Sequence, residues 1–325
     1  MNRQTVFLFA GQGSHYYQMG RRLYEEDAVY RSELRRLDEL AAETLRSSVL
    51  AAIYGPHGKS QPFSDIRLTH PAIFMVEYAL ARAAIARGAR PDITLGASLG
   101  IFAALAIAGR LSADDALRLV IRQALTIHQY CPAGGMLAVL SDSETLMGEL
   151  SQWGEISGRN FAGHFIVSTP STGMAAIEHH LKRQGVVHQR LEIDYPFHSS
   201  WIEPVKPMVQ AQSRSVALNA GPGRVICCAL AGELKHWHPD HLWHVARGGI
   251  AFADTIGQLE AEGAHDYLDL SPSGTLGTFM RYLLPQGGKS RCHVAMTPYG
   301  NDLQQLSAAV GALAASPRRD AAIAL

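Results

Sequence analysis

The chain has little cysteine, with 4 in 325 residues and no C-x-x-C pair among them. This spacing argues against a disulfide framework, so a reducing cytoplasm is the simplest compartment to expect. No apolar run approaches the ~20 residues of a membrane span. The first apolar run, in MNRQTVFLFAGQGS, is too short for the apolar core of a secretory signal and is typical of a buried strand. The cysteines are Cys131, Cys227, Cys228 and Cys292.

An excess of charge of either sign is also absent, since Lys and Arg total 29 and Asp and Glu total 29. A net charge of 0 gives no reason to expect a nucleic acid or a membrane surface as a partner. Hydrophobic residues make up 47% and charged residues 18%, which is the balance of a globular chain. A length of 325 residues suits one large domain, or a core that carries an inserted subdomain.

Two familiar binding patterns are incomplete. The loop AGQGSHYYQMG (10–20) would need glycine at position 16 for a dinucleotide fingerprint and has Tyr16. It remains a turn that places Gln12 at the carboxyl end of the first strand, where α/β proteins bind ligands. The segment HWHPDHLWH (236–244) is rich in histidine, but Pro239 interrupts it and no cysteine or H-E-x-x-H spacing supports a metal. We therefore expect solvated or structural histidines there, and no metal or cofactor.

Strand-like apolar runs alternate with helical periodicity along most of the chain. This alternation predicts an α/β protein with a mainly parallel sheet covered by helices. The predicted strands are Thr5–Phe9, Asp92–Leu95, Val225–Leu230 and Asp266–Leu270. The predicted helices are Pro71–Ala86, Leu99–Ala108, Ser112–Tyr130, Phe252–Glu262 and Thr275–Leu284. We expect residues 314–325 to form a loose tail.

The middle of the chain has a different order of elements. Its strand-like and helical runs follow one another as β-α-β-α-β, which predicts a small ferredoxin-like subdomain. The strands are 135–140, 165–168 and 187–193, and the helices lie near 143–153 and 173–183. The predicted subdomain spans residues 131–197, and residues 1–130 and 198–325 form the core. A continuation of the same sheet is the alternative.

The segment GASLG (96–100) fits the G-x-S-x-G pattern of a nucleophile elbow, in which a strand turns tightly around a serine into a helix. Ser98 would stand at the helix N-terminus, where free N–H groups stabilise negative charge. The same residues fit a loop in which Ser98 only caps the helix. His198, in DYPFHSSWIEP, is the candidate base, because a serine nucleophile needs a proton acceptor. A packed loop histidine is the alternative.

Eight segments together carry a family resemblance. They are FAGQGS, THPAIFMVEYALA (69–81), GASLG, AGRLSADDALRLV (108–120), RNFAGHFIVS, PFHS, LWHVARGGIAF (242–252) and DLSPSGTL (269–276). Over nearly its whole length the chain resembles the malonyl-transacylase family of acyltransferases, found in fatty-acid and polyketide biosynthesis. The resemblance implies an α/β-hydrolase-like core that carries a ferredoxin-like subdomain.

The same resemblance implies the roles of the site residues. Ser98 would be the nucleophile and His198 the base, as a dyad without an acidic third member. Loop carbonyls near Ser271–Ser273 would orient the imidazole. The backbone N–H groups of Gln12 and Leu99 would form the oxyanion hole. Ser98 would then attack a thioester while His198 takes its proton.

The chain departs from the family pattern where the acyl group is selected. Malonyl and methylmalonyl enzymes carry an arginine 25 residues after the serine, and an ungapped count reaches Gln123 here. A desolvated carboxylate needs a cationic partner, so Gln123 predicts neutral acyl groups. Ala97 and Ile101 replace the usual His and Glu of G-H-S-x-G-E. The other expected substrate-binding residues are His70, Asn160 and Phe197.

The fate of the acyl group separates the possible functions. Release by water makes a hydrolase, and release by a carrier-protein thiol makes a transferase. A free-standing chain without the arginine resembles the acyl hydrolases that clear stalled acyl groups in trans-acyltransferase polyketide pathways, and this is the function we expect. The alternatives are a starter-unit acyltransferase, a malonyl transferase and a non-catalytic scaffold. The implied partners are acyl carrier protein domains, which hold the acyl group on phosphopantetheine.

Overall fold

The computed structural model describes residues 3–221, 223–238 and 240–315. In these residues the chain forms two separate β-sheets with helices packed around them. The strands are β1 (Gln4–Phe9), β2 (Ile93–Gly96), β3 (Gly134–Val139), β4 (Glu155–Phe161), β5 (His164–Pro170), β6 (His188–Arg190), β7 (Arg224–Cys227), β8 (Gly232–Glu233), β9 (His265–Asp269) and β10 (Arg291–Val294).

The helices include all those that the periodicity predicts, together with others that it missed, among them an 18-residue helix at Ala28–Leu45. They are α1 (Arg21–Glu26), α2 (Ala28–Leu45), α3 (Val49–Ile53), α4 (Ile66–Ala86), α5 (Ile101–Ile107), α6 (Ala113–Tyr130), α7 (Glu144–Leu150), α8 (Ser171–Arg183), α9 (Lys206–Arg214), α10 (His241–Arg247), α11 (Phe252–Glu262), α12 (Thr275–Leu283) and α13 (Asp302–Ala314). Two 3₁₀ turns lie at Ser98–Gly100 and Ser200–Val205. The tail predicted over 314–325 falls mostly on residues 316–325, outside the described residues.

The larger sheet has the strand order β10-β9-β1-β2-β7-β8. Its neighbours are parallel except for β7 and β8. Residues 6–9 of β1 are fully buried, with Phe7 and Phe9 on one face and Val6 and Leu8 on the other. A parallel strand covered on both faces by helices is expected to be apolar throughout. The α/β architecture with a mainly parallel sheet is thus confirmed, while the likeness of this core to α/β-hydrolases stays a prediction.

The smaller sheet is antiparallel, with the order β4-β5-β3-β6, and lies inside the predicted insertion 131–197. Its elements follow one another as β3-α7-β4-β5-α8-β6, the ferredoxin-like arrangement. The sequence prediction was wrong in omitting β4, whose alternation is broken by Gly158 and by two register shifts. In the described residues the two sheets share no strand, and an isolated bridge joins Gly158 to Ile250. One continuous sheet, the alternative, does not form.

Two long helices lie near the nucleophile loop: α4 packs against the 3₁₀ turn at Ser98–Gly100, and α6 packs against α4 and α5. α4 begins before the predicted Pro71, because the Asp65 carboxylate caps it by accepting from the Arg67 N–H at 3.0 Å. α6 begins one residue after the predicted start, where the Ser112 hydroxyl accepts from the Asp115 N–H at 3.0 Å. These caps fix the helices that carry two of the predicted site residues.

Gly100 shows how tightly the nucleophile loop packs on β1. A Cβ atom at this position would lie 2.2 Å from the carbonyl oxygen of Phe9. We expect Gly100→Ala to lower the free energy of unfolding by about 1–3 kcal/mol, because the strand and the loop would have to separate. Urea denaturation measures this change.

Gly257→Ala is the matched control, because Gly257 lies inside α11 with no neighbouring atom within 4 Å of the added Cβ. There alanine should raise the stability by about 0.5–1 kcal/mol through its helix propensity. Equal effects of the two substitutions would contradict the close packing of the loop on β1.

Candidate active site

The loop after β2 has the geometry of a nucleophile elbow. The chain leaves the strand at Gly96 and passes through Ser98 at φ +53° into the 3₁₀ turn that precedes α5. A non-glycine residue with positive φ is strained, and such residues concentrate at functional sites. This turn lifts the Ser98 hydroxyl out at the carboxyl edge of the larger sheet, as G-x-S-x-G predicts.

Ser98 and His198 are in direct contact, although 100 positions separate them in the chain. The distance from Ser98 Oγ to His198 Nε2 is 2.8 Å. His198 Nδ1 lies 2.7 Å from the carbonyl oxygen of Gly248. Because a carbonyl only accepts, Nδ1 carries the proton and Nε2 is left free to accept one from the serine. The pair is arranged as a nucleophile and its base.

The group that orients His198 is not the one expected from the sequence. Loop carbonyls near Ser271–Ser273 were predicted, but the carbonyls that contact His198 belong to the C-terminal end of α10. Gly248 accepts from Nδ1, and Ala246 accepts from the His198 backbone N–H at 3.1 Å. The loop at 271–273 instead caps the start of α12, where the Ser271 hydroxyl accepts from the Thr275 N–H. A helix C-terminus also favours the positive imidazolium that forms during catalysis.

Burial keeps the imidazole of His198 uncharged. The side chain is 4% exposed, and its burial lowers the pKa of His198 from 6.5 to about 4, against the opposing effect of the Gly248 hydrogen bond. The nearby Arg247 lowers this pKa further. A neutral imidazole is the form that can take the serine proton, so the base is ready at neutral pH.

The pH dependence of activity should report this lowered pKa. At pH 5.5 a histidine of pKa 6.5 is only about one-tenth neutral, whereas one of pKa 4 is almost wholly neutral. We expect kcat/KM to stay level from pH 8 to about 5.5 and to fall only as His198 protonates below that. Circular dichroism at each pH controls for unfolding. A fall in kcat/KM with its midpoint near 6.5 would contradict the buried, neutral base.

The loop that carries Gln12 packs against the loop of Ser98 and Leu99. The loop after β1 lies against the elbow so closely that a Cβ on Gly11 would be 2.9 Å from Ser98 Cβ and 3.2 Å from Leu99 N. In the described part of the chain, the N–H groups of Gln12 and Leu99 donate to no acceptor. Free donors beside a serine can form an oxyanion hole, and this role of Gln12 and Leu99 stays a prediction.

Sequence reasoning missed a buried carboxyl that holds the oxyanion loop. Glu77, in the middle of α4, is fully buried, and its Oε1 accepts from the Ala10 N–H at 2.7 Å. Burial raises the pKa of Glu77 well above its ordinary value, against the opposing effect of the Ala10 hydrogen bond. Its position gives a signal in the sequence, because a single acidic residue inside the apolar run IFMVEYALA needs a buried partner.

A cavity of about 310 Å³ opens beside Ser98, between the two sheets. The predicted substrate-binding residues all line it: His70, Gln123, Asn160 and Phe197, together with His164. Among the described residues that form its wall, none is Lys, Arg, Asp or Glu. Arg122, next to Gln123 on α6, is exposed and lies outside this wall. The cavity can therefore surround an uncharged group but offers no counter-ion.

The described residues offer neither a metal site nor a membrane-spanning helix. No group of three or more His, Cys, Asp and Glu side chains is arranged to hold a metal ion there. In the histidine-rich segment, His241 instead packs on Trp237, with ring centroids 5.6 Å apart. None of the described helices has the length and apolar character to cross a membrane.

Comparison with known proteins agrees with this geometry. A family model described as "Acyl transferase domain" matches residues 6–276. The polyketide biosynthesis acyltransferase homolog PksD of Bacillus subtilis is 36% identical over 94% of this chain and 96% of that protein. The homolog BaeD of Bacillus velezensis is 35% identical over 98% of this chain and 99% of that protein.

Solved structures share the fold. A loading acyltransferase from the avermectin modular polyketide synthase has a TM-score of 0.87 at 21% identity, over 95% of this chain and 99% of that one. The acyl transferase domain of SpnD has a TM-score of 0.88 at 24% identity, over 98% of this chain and 77% of that one. The family match and the two relatives, which align along almost their whole lengths, lead to one conclusion: this chain belongs to the acyl transferase domain family.

Proposed function

We propose that the chain is a serine acyl hydrolase that removes neutral acyl groups, acetyl and longer, from acyl carrier protein thioesters in polyketide biosynthesis. The observation that carries the proposal is the uncharged wall of the cavity beside Ser98. The names of the relatives PksD and BaeD support the polyketide setting. A soluble carrier protein with its phosphopantetheine arm is the partner that would bring the thioester to the cavity.

The first half of the reaction forms an ester on Ser98. His198 Nε2, 2.8 Å from the hydroxyl, accepts its proton as Oγ bonds to the thioester carbonyl carbon. The N–H groups of Gln12 and Leu99 hold the resulting oxyanion. The carbon–sulfur bond then breaks, and His198 returns the proton to the leaving sulfur. The products are a free pantetheine thiol and an acyl-serine.

The second half repeats these steps with water. His198 accepts a proton from the water as its oxygen bonds to the ester carbon, and the same N–H groups hold the second oxyanion. The bond to Ser98 Oγ then breaks, and the proton from His198 restores the hydroxyl. A carboxylic acid leaves the cavity and the enzyme is regenerated.

A carboxylated acyl group fits this cavity poorly. A malonyl carboxylate would lose its water without gaining a cation, which costs several kcal/mol. Gln123 can donate a hydrogen bond but carries no charge. Neutral chains lose little water on entering and gain apolar contacts, for example with Phe197 and Phe279.

A starter-unit acyltransferase is the second candidate, because the relatives bear the name acyltransferase homolog. It would share the dyad, the oxyanion hole and the neutral cavity. Only the second nucleophile differs, since His198 can activate a carrier-protein thiol as readily as water. Malonyl transfer is disfavoured by the uncharged wall.

The test of the proposed substrate class uses acyl carrier protein loaded with acetyl, butyryl or malonyl groups. Each is incubated with catalytic amounts of the protein, and intact-protein mass spectrometry follows the loss of the acyl mass. We expect loss of acetyl and butyryl as free acids, with malonyl retained. Release of malonyl at a comparable rate would contradict the proposal.

Replacement of Gln123 tests whether this position sets the charge of the substrate. Gln123 is 7% exposed and lines the cavity, so Gln123→Arg places a cation on the wall. We expect the ratio of malonyl to butyryl acylation of Ser98 to rise by tenfold or more, about the effect of one charge-assisted pair. Intact mass of the acylated protein in a competition measures it. Arg122→Gln, on the exposed neighbour, is the control and should leave the ratio unchanged. An unchanged ratio in Gln123→Arg would refute the role of position 123 in selecting the charge of the acyl group.

A further inference from the structure

His70 is a polar side chain without a partner at the wall of the cavity. It lies on α4, is 3% exposed, and stacks against Phe197 with ring centroids 5.5 Å apart. Among the described residues, neither ring nitrogen of His70 has a hydrogen-bond partner. Burial lowers the pKa of His70 to about 3, so the ring is neutral. In a neutral imidazole one nitrogen can donate a hydrogen bond and the other can accept one.

Gln123 presents a second such group to the same cavity from α6, which packs against α4. It is 7% exposed, and its amide makes no hydrogen bond to another described residue. Gln12 has a further polar atom without a partner. Its amide nitrogen donates to Thr69 at 2.9 Å, but its Oε1 is buried and accepts from no donor among the described residues. The residues that line the cavity thus contain buried polar atoms that no other described residue satisfies.

Buried polar groups in folded proteins are nearly always hydrogen-bonded, and an exception calls for a ligand or another explanation. The ligand group that fits here must be neutral, because none of the described residues in the wall has a charged side chain. It must also accept or donate hydrogen bonds, since an imidazole and an amide each offer both. Hydroxyl and keto oxygens meet these conditions, and a methylene chain does not.

We infer that His70 and Gln123 form a subsite for a hydroxyl or keto oxygen on the acyl chain that Ser98 receives. The preferred substrates are then hydroxyacyl and oxoacyl thioesters, and saturated chains of equal length are poorer. This inference deepens the proposed function and depends on acylation of Ser98, but it does not depend on whether water or a thiol releases the chain.

The test compares four pantetheine thioesters: hexanoyl, 3-hydroxyhexanoyl, 3-oxohexanoyl and 5-hydroxyhexanoyl. Release of free pantetheine thiol gives kcat/KM for each. A site built to bond a substrate oxygen discriminates strongly against an analogue that lacks it, so at least one oxygenated chain should exceed hexanoyl by about tenfold or more. The ratio is taken within each protein, so a general loss of activity in a variant does not affect it.

Variants of His70 and Gln123 test whether these two residues cause the preference for oxygenated chains. In His70→Phe, which keeps an aromatic ring against Phe197, and in Gln123→Leu the ratio should fall towards one. His70→Gln restores a donor and an acceptor and should recover part of it. Met136→Leu, an apolar change in the same wall, is the matched control and should keep the ratio.

The possible outcomes test the subsite and the proposed function separately. A ratio near one in the unaltered protein, with thiol released, overturns the subsite while leaving the proposed function intact. A high ratio that survives in both His70→Phe and Gln123→Leu also overturns it. Passage of an oxygenated chain to a second carrier protein would contradict the hydrolase and leave the subsite standing. Failure to release thiol from any of the thioesters contradicts both.

Discussion

Ser98→Ala should abolish turnover, with kcat falling by ~10³-fold or more while the fold is kept. The hydroxyl is the only part removed, and its contact with His198 Nε2 at 2.8 Å is the first step of the proposed chemistry. Alanine keeps the Cβ of serine, so the substitution does not add steric strain to the turn at φ +53°. Intact mass spectrometry with butyryl carrier protein should show neither free acid nor an acylated enzyme.

A matched serine controls for the loss of a hydroxyl alone. Ser307 lies exposed on α13, outside the wall of the cavity, so Ser307→Ala should keep full activity. Thermal melting of both variants shows that each is folded. More than about one-tenth of the activity in Ser98→Ala would refute Ser98 as the nucleophile, since a missing nucleophile costs far more.

His198→Ala should slow both the formation and the hydrolysis of the acyl-serine. General base catalysis contributes about 10²–10⁴-fold, and the same imidazole serves each half of the reaction. Rapid-quench mass spectrometry separates the halves by following the acyl mass on Ser98. The effect on each should be large, because the described residues place no other titratable group against the Ser98 hydroxyl.

His238→Ala is the control for the loss of an imidazole. His238 is exposed in the histidine-rich segment and lies outside the cavity wall. Its removal should leave both rates unchanged, which also agrees with the absence of a metal cluster among the described residues. Acylation of Ser98 at the normal rate in His198→Ala would contradict the assignment of the base.

The parts of the fold that the sequence predicts are those with a local signal. β1 is an uninterrupted apolar run, and α11 has the predicted bounds because its periodicity is complete. β7 was predicted too long: its apolar run continues to Leu230, but the Leu230 N–H turns back to bond the Cys227 carbonyl at 3.1 Å. Strand propensity cannot register that turn, because the local residues remain apolar.

The groups of the site also differ in whether the local sequence identifies them. Ser98, His198 and Gln12 stand in short motifs whose residue types have chemical meaning. The carbonyl of Gly248 does not, since every residue has a carbonyl, and only the folded chain brings that one within 2.7 Å of His198. Sequence reasoning therefore placed the orienting group at 271–273, in a loop that the chain uses to cap α12.

The lack of a cation at position 123 was predictable because it depends on the register of a single helix. One step along α6 rotates a residue by about 100°, so Gln123 and Arg122 face different ways. The structure places Gln123 on the cavity wall and leaves Arg122 exposed. The polar capacity of His70 was not predictable, because the sequence does not reveal whether a histidine has found a partner.

Release of the acyl group by water, and not by a second thiol, is the step on which the proposed hydrolase depends. Its most direct test incubates butyryl carrier protein and catalytic amounts of the protein in ¹⁸O-labelled water, with an unloaded second carrier protein of different mass. Mass spectrometry follows both carriers and the free acid. We expect butyrate that carries one ¹⁸O atom and a second carrier that stays unloaded. Butyryl on the second carrier, with no labelled acid, would contradict the hydrolase and make the protein a transferase.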